Sequence, residues 1–309
     1  MKIDILQLGA FPPPLQALID AEFQVHTEAE LDANDALRNT IRGIITRSAV
    51  EVPAALVESL PNLQIISTSG VGYDRIPRDV AARRGIVVTN TPDVLNTAVA
   101  ELCVGLVLSL LRRIPEANRF VMDGKWAKSP FTMGANLSGK EVGIVGLGRI
   151  GKEIARRLDA FDVKLSYFGR NDQKLAYRFE PDLHALARSA DVLIVAAPGG
   201  TDTSKLIDGA VLEALGPEGY LVNMARGSLV DEAALLDALL NRRIAGAGLD
   251  VFENEPNIDA RFLGLDNVVL TPHIASATNE TRHAMLRLTL DNLGTFFEGG
   301  KAVTVVFPG

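Results

Sequence analysis

Lys140-Glu141-Val142-Gly143-Ile144-Val145-Gly146-Leu147-Gly148-Arg149-Ile150-Gly151 is the stretch on which the reading of the fold turns. Residues 140–145 read as a short apolar strand, and a Gly-x-Gly-x-x-Gly turn follows at once. Ile154, Ala155, Leu158 and Phe161 then recur at helical spacing, and residues 163–168 form a second strand that ends in Gly169-Arg170-Asn171. Strand, glycine turn, helix and strand within about 30 residues is the context in which this motif signals a dinucleotide. Gly146 permits the tight turn, Gly148 lets a pyrophosphate approach the backbone, and Gly151 lets helix and strand pack closely. The helix start at Arg149 and Ile150 offers N–H groups and a positive dipole end to the phosphates.

Downstream the βα pattern continues. Residues 191–197, 220–223, 247–251 and 268–271 are strands three to six of a doubly wound sheet, with helices between them, for example over 231–241. A last helix spans 279–298, and after Gly299-Gly300 the segment 303–307 is expected to return to the first domain. Upstream, strands at 3–8, 43–46, 64–68 and 86–90 alternate with helices opened by Pro12-Pro13-Pro14 and by Pro53, which implies a second parallel sheet. The expected fold class is α/β, two Rossmann-like or flavodoxin-like domains with parallel sheets and a cleft between them. Residues 1–96 with 284–309 form the substrate-binding domain and residues 97–283 the dinucleotide-binding domain. The helix over 97–113 is apolar nearly all round, through Val99, Leu102, Cys103, Leu106 and Leu110 and also Val104, Val107, Leu108 and Leu111. That predicts burial between domains or against a second subunit, hence a homodimer. Residues 119–138, with the only tryptophan, Trp126, read as a surface excursion.

The bulk numbers narrow the classes. A chain of 309 residues is too long for one comfortable core. A formal net charge of −7 argues against nucleic acid or an anionic membrane as partner. No run approaches 18 apolar residues, and the start at Met1-Lys2-Ile3-Asp4 carries no apolar signal region, so a cytoplasmic setting is expected. The lone Cys103 excludes an intramolecular disulfide, and His26, His184 and His283 lack metal-ligand spacing, so no metal is expected.

Three polar residues each follow a strand of the dinucleotide domain: Arg226, Glu255 and His273. Ligands in open α/β sheets bind at such strand ends. An arginine, an acid and a histidine in one place suit reduction of a 2-keto acid. Arg226 would hold the carboxylate and polarise the keto oxygen. His273 would donate the proton, and Glu255 would orient its ring and raise its proton affinity.

The chain resembles the D-isomer-specific 2-hydroxyacid dehydrogenases along nearly its whole length, and within them the NADPH-dependent glyoxylate/hydroxypyruvate reductases. The matching stretches are Ser69-Gly70-Val71-Gly72-Tyr73-Asp74, Gly146 to Gly151, Val222-Asn223-Met224-Ala225-Arg226-Gly227, Gly248-Leu249-Asp250-Val251-Phe252 with Glu255-Pro256, and Thr271-Pro272-His273. The resemblance implies Arg226, Glu255 and His273 as the catalytic set, and substrate carboxylate binding by the N–H groups of Val71 and Gly72. It places Ala225 among the cofactor-binding positions and has Asp250 hold the nicotinamide carboxamide. NAD-dependent members carry an acid after the second strand, about 20 residues past the glycines, for the ribose hydroxyls. Here Gly169 stands there, followed by Arg170 and Asn171, so NADPH is expected in preference to NADH. The expected partner is a small anionic 2-keto or 2-hydroxy acid. The alternatives are a D-lactate or phosphoglycerate type dehydrogenase, or a non-catalytic NAD(P)H-sensing protein of the same fold.

Overall fold

A computed structural model describes residues 2–307; Met1, Pro308 and Gly309, which the expected ranges 1–96 and 284–309 include, lie outside the described residues. The chain divides into two compact units, Met1–Leu95 with Thr278–Gly309, and Asn96–Ala277. The expected second junction, between 283 and 284, falls inside a helix. The division instead comes at Thr278, whose hydroxyl caps that helix by accepting from the Thr281 N–H at 3.1 Å.

The first unit begins with β1 (Asp4–Gln7), α1 (Pro13–Glu22), β2 (Gln24–His26), α2 (Glu28–Ala33), β3 (Gly43–Arg47), α3 (Ala54–Glu58), β4 (Ile65–Ser69), α4 (Arg78–Arg83) and β5 (Val87–Thr89). The second unit holds α5 (Asn96–Arg112), α6 (Ile114–Met122), β6 (Glu141–Val145), α7 (Arg149–Leu158), β7 (Lys164–Phe168), β8 (Arg178–Phe179), α8 (Leu183–Ser189) and β9 (Val192–Val195). It continues with α9 (Gly209–Leu215), β10 (Tyr220–Asn223), α10 (Glu232–Leu240), β11 (Gly246–Leu249) and β12 (Val268–Leu270). The chain then returns to the first unit as α11 (Asn279–Gly299) and β13 (Val305–Phe307).

Among the described residues the first sheet has six strands in the order β13-β5-β4-β3-β1-β2, parallel except for β13, which runs antiparallel to β5. Its parallel part is the flavodoxin order, whose crossover point lies between β1 and β3. Strand alternation buries both faces. Leu6, Ile44 and Ile66 meet Leu31, Val57 and Ala81 of α2, α3 and α4. Their neighbours Ile5, Ile45 and Ile65 meet Ile19 of α1 and Leu286, Leu290 and Leu293 of α11. The 303–307 tail thus joins the first sheet.

The second sheet is parallel throughout, in the order β12-β11-β10-β9-β6-β7-β8. Among the described residues it has seven strands, one more than the sequence pattern indicated, because β8 is only two residues long. Its crossover lies between β6 and β9, at the glycine turn. Much of the apolar surface of α5 is covered inside its own unit, while Leu102, Val104 and Leu108 stay half-buried. Ala98, Val99, Ala100, Cys103, Leu106, Val107, Leu110 and Leu111 are buried, and the helix lies on α7, β10, β11 and β12. The segment after it carries a run of exposed apolar groups, with Ile114, Val121, Met122, Trp126 and Met133 half or more exposed. No helix among the described residues is long and apolar enough to cross a membrane.

Candidate active site

The glycine turn joins β6 to α7. Gly146 has φ +97°, and a Cβ there would lie 2.6 Å from the Ala197 backbone, so only glycine fits. A Cβ on Gly151 would lie 2.2 Å from the Gly146 carbonyl oxygen, so the first turn of α7 sits directly on the glycine turn. Gly148 is the N-cap of α7, no side chain caps the helix, and the space beside its Cα is open. A helix start without a side-chain cap, behind an open glycine, has its first N–H groups available to an anion. Arg149 and Ile150 form its first turn. These features fit the pyrophosphate of a dinucleotide.

At the end of β7, Gly169 has a conformation open to any residue, and a Cβ there would meet nothing within 4 Å. Arg170 and Asn171 are exposed. The nearest following acid, Asp172, is engaged elsewhere: it accepts from the Tyr167 hydroxyl at 2.9 Å and from the Lys174 ammonium at 2.6 Å. Lys174, through its side chain and its N–H, is the chief reason the Asp172 carboxyl is pushed down to about 2.

The loops after β10, β11 and β12 carry the polar trio. Asn223, the last residue of β10, folds the next turn with its side chain, accepting from the Ala225 N–H at 3.0 Å and donating to the Arg226 carbonyl at 2.9 Å. Arg226 donates to the Ala225 carbonyl at 2.8 Å. A Cβ on Gly227 would lie 1.9 Å from the Phe252 carbonyl carbon, so the Arg226 turn lies against the backbone that leads to Glu255. Glu255 accepts from the Phe252 N–H at 3.0 Å, and its Oε2 lies 2.7 Å from Nδ1 of His273. Burial raises the Glu255 carboxyl, but the hydrogen bonds from His273 and Phe252 and the nearby His273 and Arg226 side chains outweigh it and hold the group below its ordinary value. Glu255 is therefore ionised at neutral pH, Nδ1 of His273 carries the donated hydrogen, and Nε2 is the second ring nitrogen. Nε2 has no hydrogen-bond partner among the described residues.

Asp250 is 0% exposed, and both its oxygens grip the turn that carries His273. Oδ1 accepts from the Thr271 hydroxyl at 2.6 Å and the Ile274 N–H at 2.8 Å, while Oδ2 accepts from the Ala275 N–H at 2.9 Å. Asp250 thereby holds the loop that carries His273. His273 itself donates its N–H to the Asp250 carbonyl at 2.9 Å and adopts φ +53°, a left-handed conformation that an L-residue takes only when its surroundings impose it.

In the first unit, the loop after β4 begins with Gly70 at φ +145°. The Gly70 carbonyl accepts from the Thr91 N–H at 2.9 Å, and the Val71 carbonyl accepts from the Asn90 side chain at 2.8 Å. The N–H groups of Val71 and Gly72 have no acceptor among the described residues. Asn90 and Thr91 were not among the expected site residues; two polar residues directly after a strand, before Pro92, were the available signal. Among the described residues no cluster of three or more His, Cys, Asp or Glu could hold a metal ion.

Known proteins resemble this chain along most of its length. Residues 104–275 match the family model described as D-isomer specific 2-hydroxyacid dehydrogenase, NAD binding domain. The chain is 45% identical over 306 residues to a 2-ketogluconate reductase of Gluconobacter oxydans, covering 99% of each chain. It is also 45% identical over 270 residues to a glyoxylate/hydroxypyruvate reductase of Arabidopsis thaliana, covering 87% of this chain and 86% of that one. The crystal structure of an NADPH-dependent glyoxylate/hydroxypyruvate reductase from Sinorhizobium meliloti, in complex with NADP and malonate, superposes with a TM-score of 0.94 at 43% identity, covering 99% of this chain and 97% of that one.

Proposed function

The chain belongs to the D-isomer-specific 2-hydroxyacid dehydrogenase family and is an NAD(P)-dependent oxidoreductase, and from that premise we propose that it reduces a small 2-keto acid, glyoxylate or hydroxypyruvate, to the D-2-hydroxy acid with NADPH. The observation that carries this reading is the 2.7 Å contact between Glu255 and Nδ1 of His273, which leaves Nε2 as a directed proton donor. Bound NADPH supplies the hydride. The chain does the rest. The Val71 and Gly72 N–H groups receive the substrate carboxylate, and Arg226 draws electron density toward the keto oxygen. As the carbonyl carbon gains the hydride, the keto oxygen takes the proton from Nε2 of His273, and Glu255 keeps the ring in place. Open space at Gly169, with Arg170 and Asn171 exposed beside it, suits the 2′-phosphate of NADPH.

A 2-keto sugar acid is the second candidate substrate, favoured by the 2-ketogluconate reductase relative. The test is a panel of glyoxylate, hydroxypyruvate, pyruvate and 2-ketogluconate with NADPH oxidation followed by absorbance. Glyoxylate or hydroxypyruvate with the highest kcat/KM supports the first reading, 2-ketogluconate the second, and turnover of none contradicts both. The exposed apolar groups between Ile114 and Met133 support assembly as a homodimer. Sedimentation at micromolar concentration should give twice the monomer mass; a monomer would remove that part.

A further inference from the structure

A trans peptide is planar, so the carbonyl of one residue and the N–H of the next point in opposite directions. Whatever holds the carbonyls of Gly70 and Val71 therefore aims the N–H groups of Val71 and Gly72. Both carbonyls are held by one short segment: Gly70 by the Thr91 N–H at 2.9 Å and Val71 by the Asn90 side-chain amide at 2.8 Å. Both N–H groups are thereby turned away from that segment, side by side, as an anion-binding pair of amides requires.

Asn90 is itself held from far along the chain. Its carbonyl accepts from the Thr304 hydroxyl at 2.6 Å and from the Asn292 side chain at 3.4 Å. Asn292, on α11, is fully buried, accepts from the Thr304 N–H at 2.8 Å and donates to the Thr304 hydroxyl at 2.8 Å. Phe307 of β13 meets Tyr73 edge to face at 6.3 Å, and the Arg78 guanidinium stands 5.6 Å and 5.5 Å from the two rings. The C-terminal segment thus holds the loop on both sides of Val71 and Gly72.

We propose that Asn90, fixed by Asn292 and Thr304, is the positioning residue that aims the Val71 and Gly72 N–H groups at the substrate carboxylate. The inference rests on the reading that these amides bind the carboxylate. A buried polar network of this kind is retained at full strength only while every member is satisfied. Removing the Thr304 hydroxyl takes away the shorter of the two side-chain hydrogen bonds to the Asn90 carbonyl and loosens the loop without touching the cofactor or the proton donor.

The experiment compares Thr304→Val, Thr304→Ser and Asn90→Ala with wild type, measuring KM and kcat for glyoxylate with NADPH and the NADPH dissociation constant by fluorescence. Thr304→Val should raise KM about fivefold to tenfold and Asn90→Ala about tenfold, as loss of one hydrogen bond implies, the effect at Asn90 being the larger because its amide holds the Val71 carbonyl directly. kcat should change less than about threefold, NADPH binding should not change, and Thr304→Ser, which restores the hydroxyl, should behave as wild type. Should Asn90→Ala fail to fold, the conservative Thr304 pair carries the test alone. Wild-type KM in Thr304→Val, or an equal loss of NADPH binding, overturns the positioning role while an active wild type leaves the substrate reading standing. A wild type that reduces no 2-keto acid removes both.

Discussion

Two regions at the strand ends of one sheet are built in opposite ways. After β11 and β12, Asp250 is wholly buried with three donors on its carboxylate, Gly227 touches the Phe252 backbone, and His273 is held at φ +53°. After β7, Gly169 has empty space beside it, and Arg170 and Asn171 are exposed. The proton transfer proposed for His273 needs a donor fixed to within a fraction of an ångström, and the loop that carries His273 is over-determined. The phosphate recognition proposed for the end of β7 needs only charge and room. The first loop should therefore lose activity and stability together when altered, and the second should change preference at almost no structural cost.

The largest effect expected is at His273. His273→Ala should lower kcat by roughly 10²–10⁴ while cofactor binding is retained, as for loss of a general acid; turnover near wild type would remove His273 from the chemistry. Next comes its support. Asp250→Asn can accept at one oxygen, but its amide nitrogen must face an N–H or hydroxyl donor. We expect a loss of about 2–4 kcal/mol in urea denaturation, since buried hydrogen bonds to a charged group are broken, with kcat down about tenfold or more. A variant as stable and active as wild type would show that the turn holds His273 without Asp250. The smallest effect concerns pH. The folded-state value of Glu255 lies below its ordinary 4.5, so its ionised form contributes stability that is fully present above that value and lost as pH falls through the lowered one. The stability gap between wild type and Glu255→Gln should be constant near neutrality and narrow only below about pH 4.5. A gap that is flat down to acid unfolding would mean the carboxylate gains nothing from its partners.

The same contrast explains what could be read from residues alone. The glycine turn and the polar residues at strand ends are local patterns, so the dinucleotide unit and the positions of Arg226, Glu255 and His273 on their loops follow from short windows of sequence. Strand β8, two residues long, has no periodicity to detect. The junction at Thr278 was marked only by a single capping threonine. Asp250 was visible as an acid at a strand end, but which groups its oxygens meet depends on the turn 21 to 25 residues later. Asn90 is bonded to residues 202 and 214 positions away, which no sequence window spans.

The most direct test of the account is cofactor choice at the open strand end. kcat/KM for NADPH and for NADH should be measured in wild type and in Gly169→Asp/Arg170→Ala, with the melting temperature of each. Wild type should prefer NADPH by roughly tenfold to a hundredfold, the worth of one partly screened charge pair. The double variant should swing toward NADH through KM for NADPH, with the melting temperature unchanged because a Cβ at position 169 meets nothing. A wild type that prefers NADH, or a ratio that the double variant leaves unmoved, would contradict it.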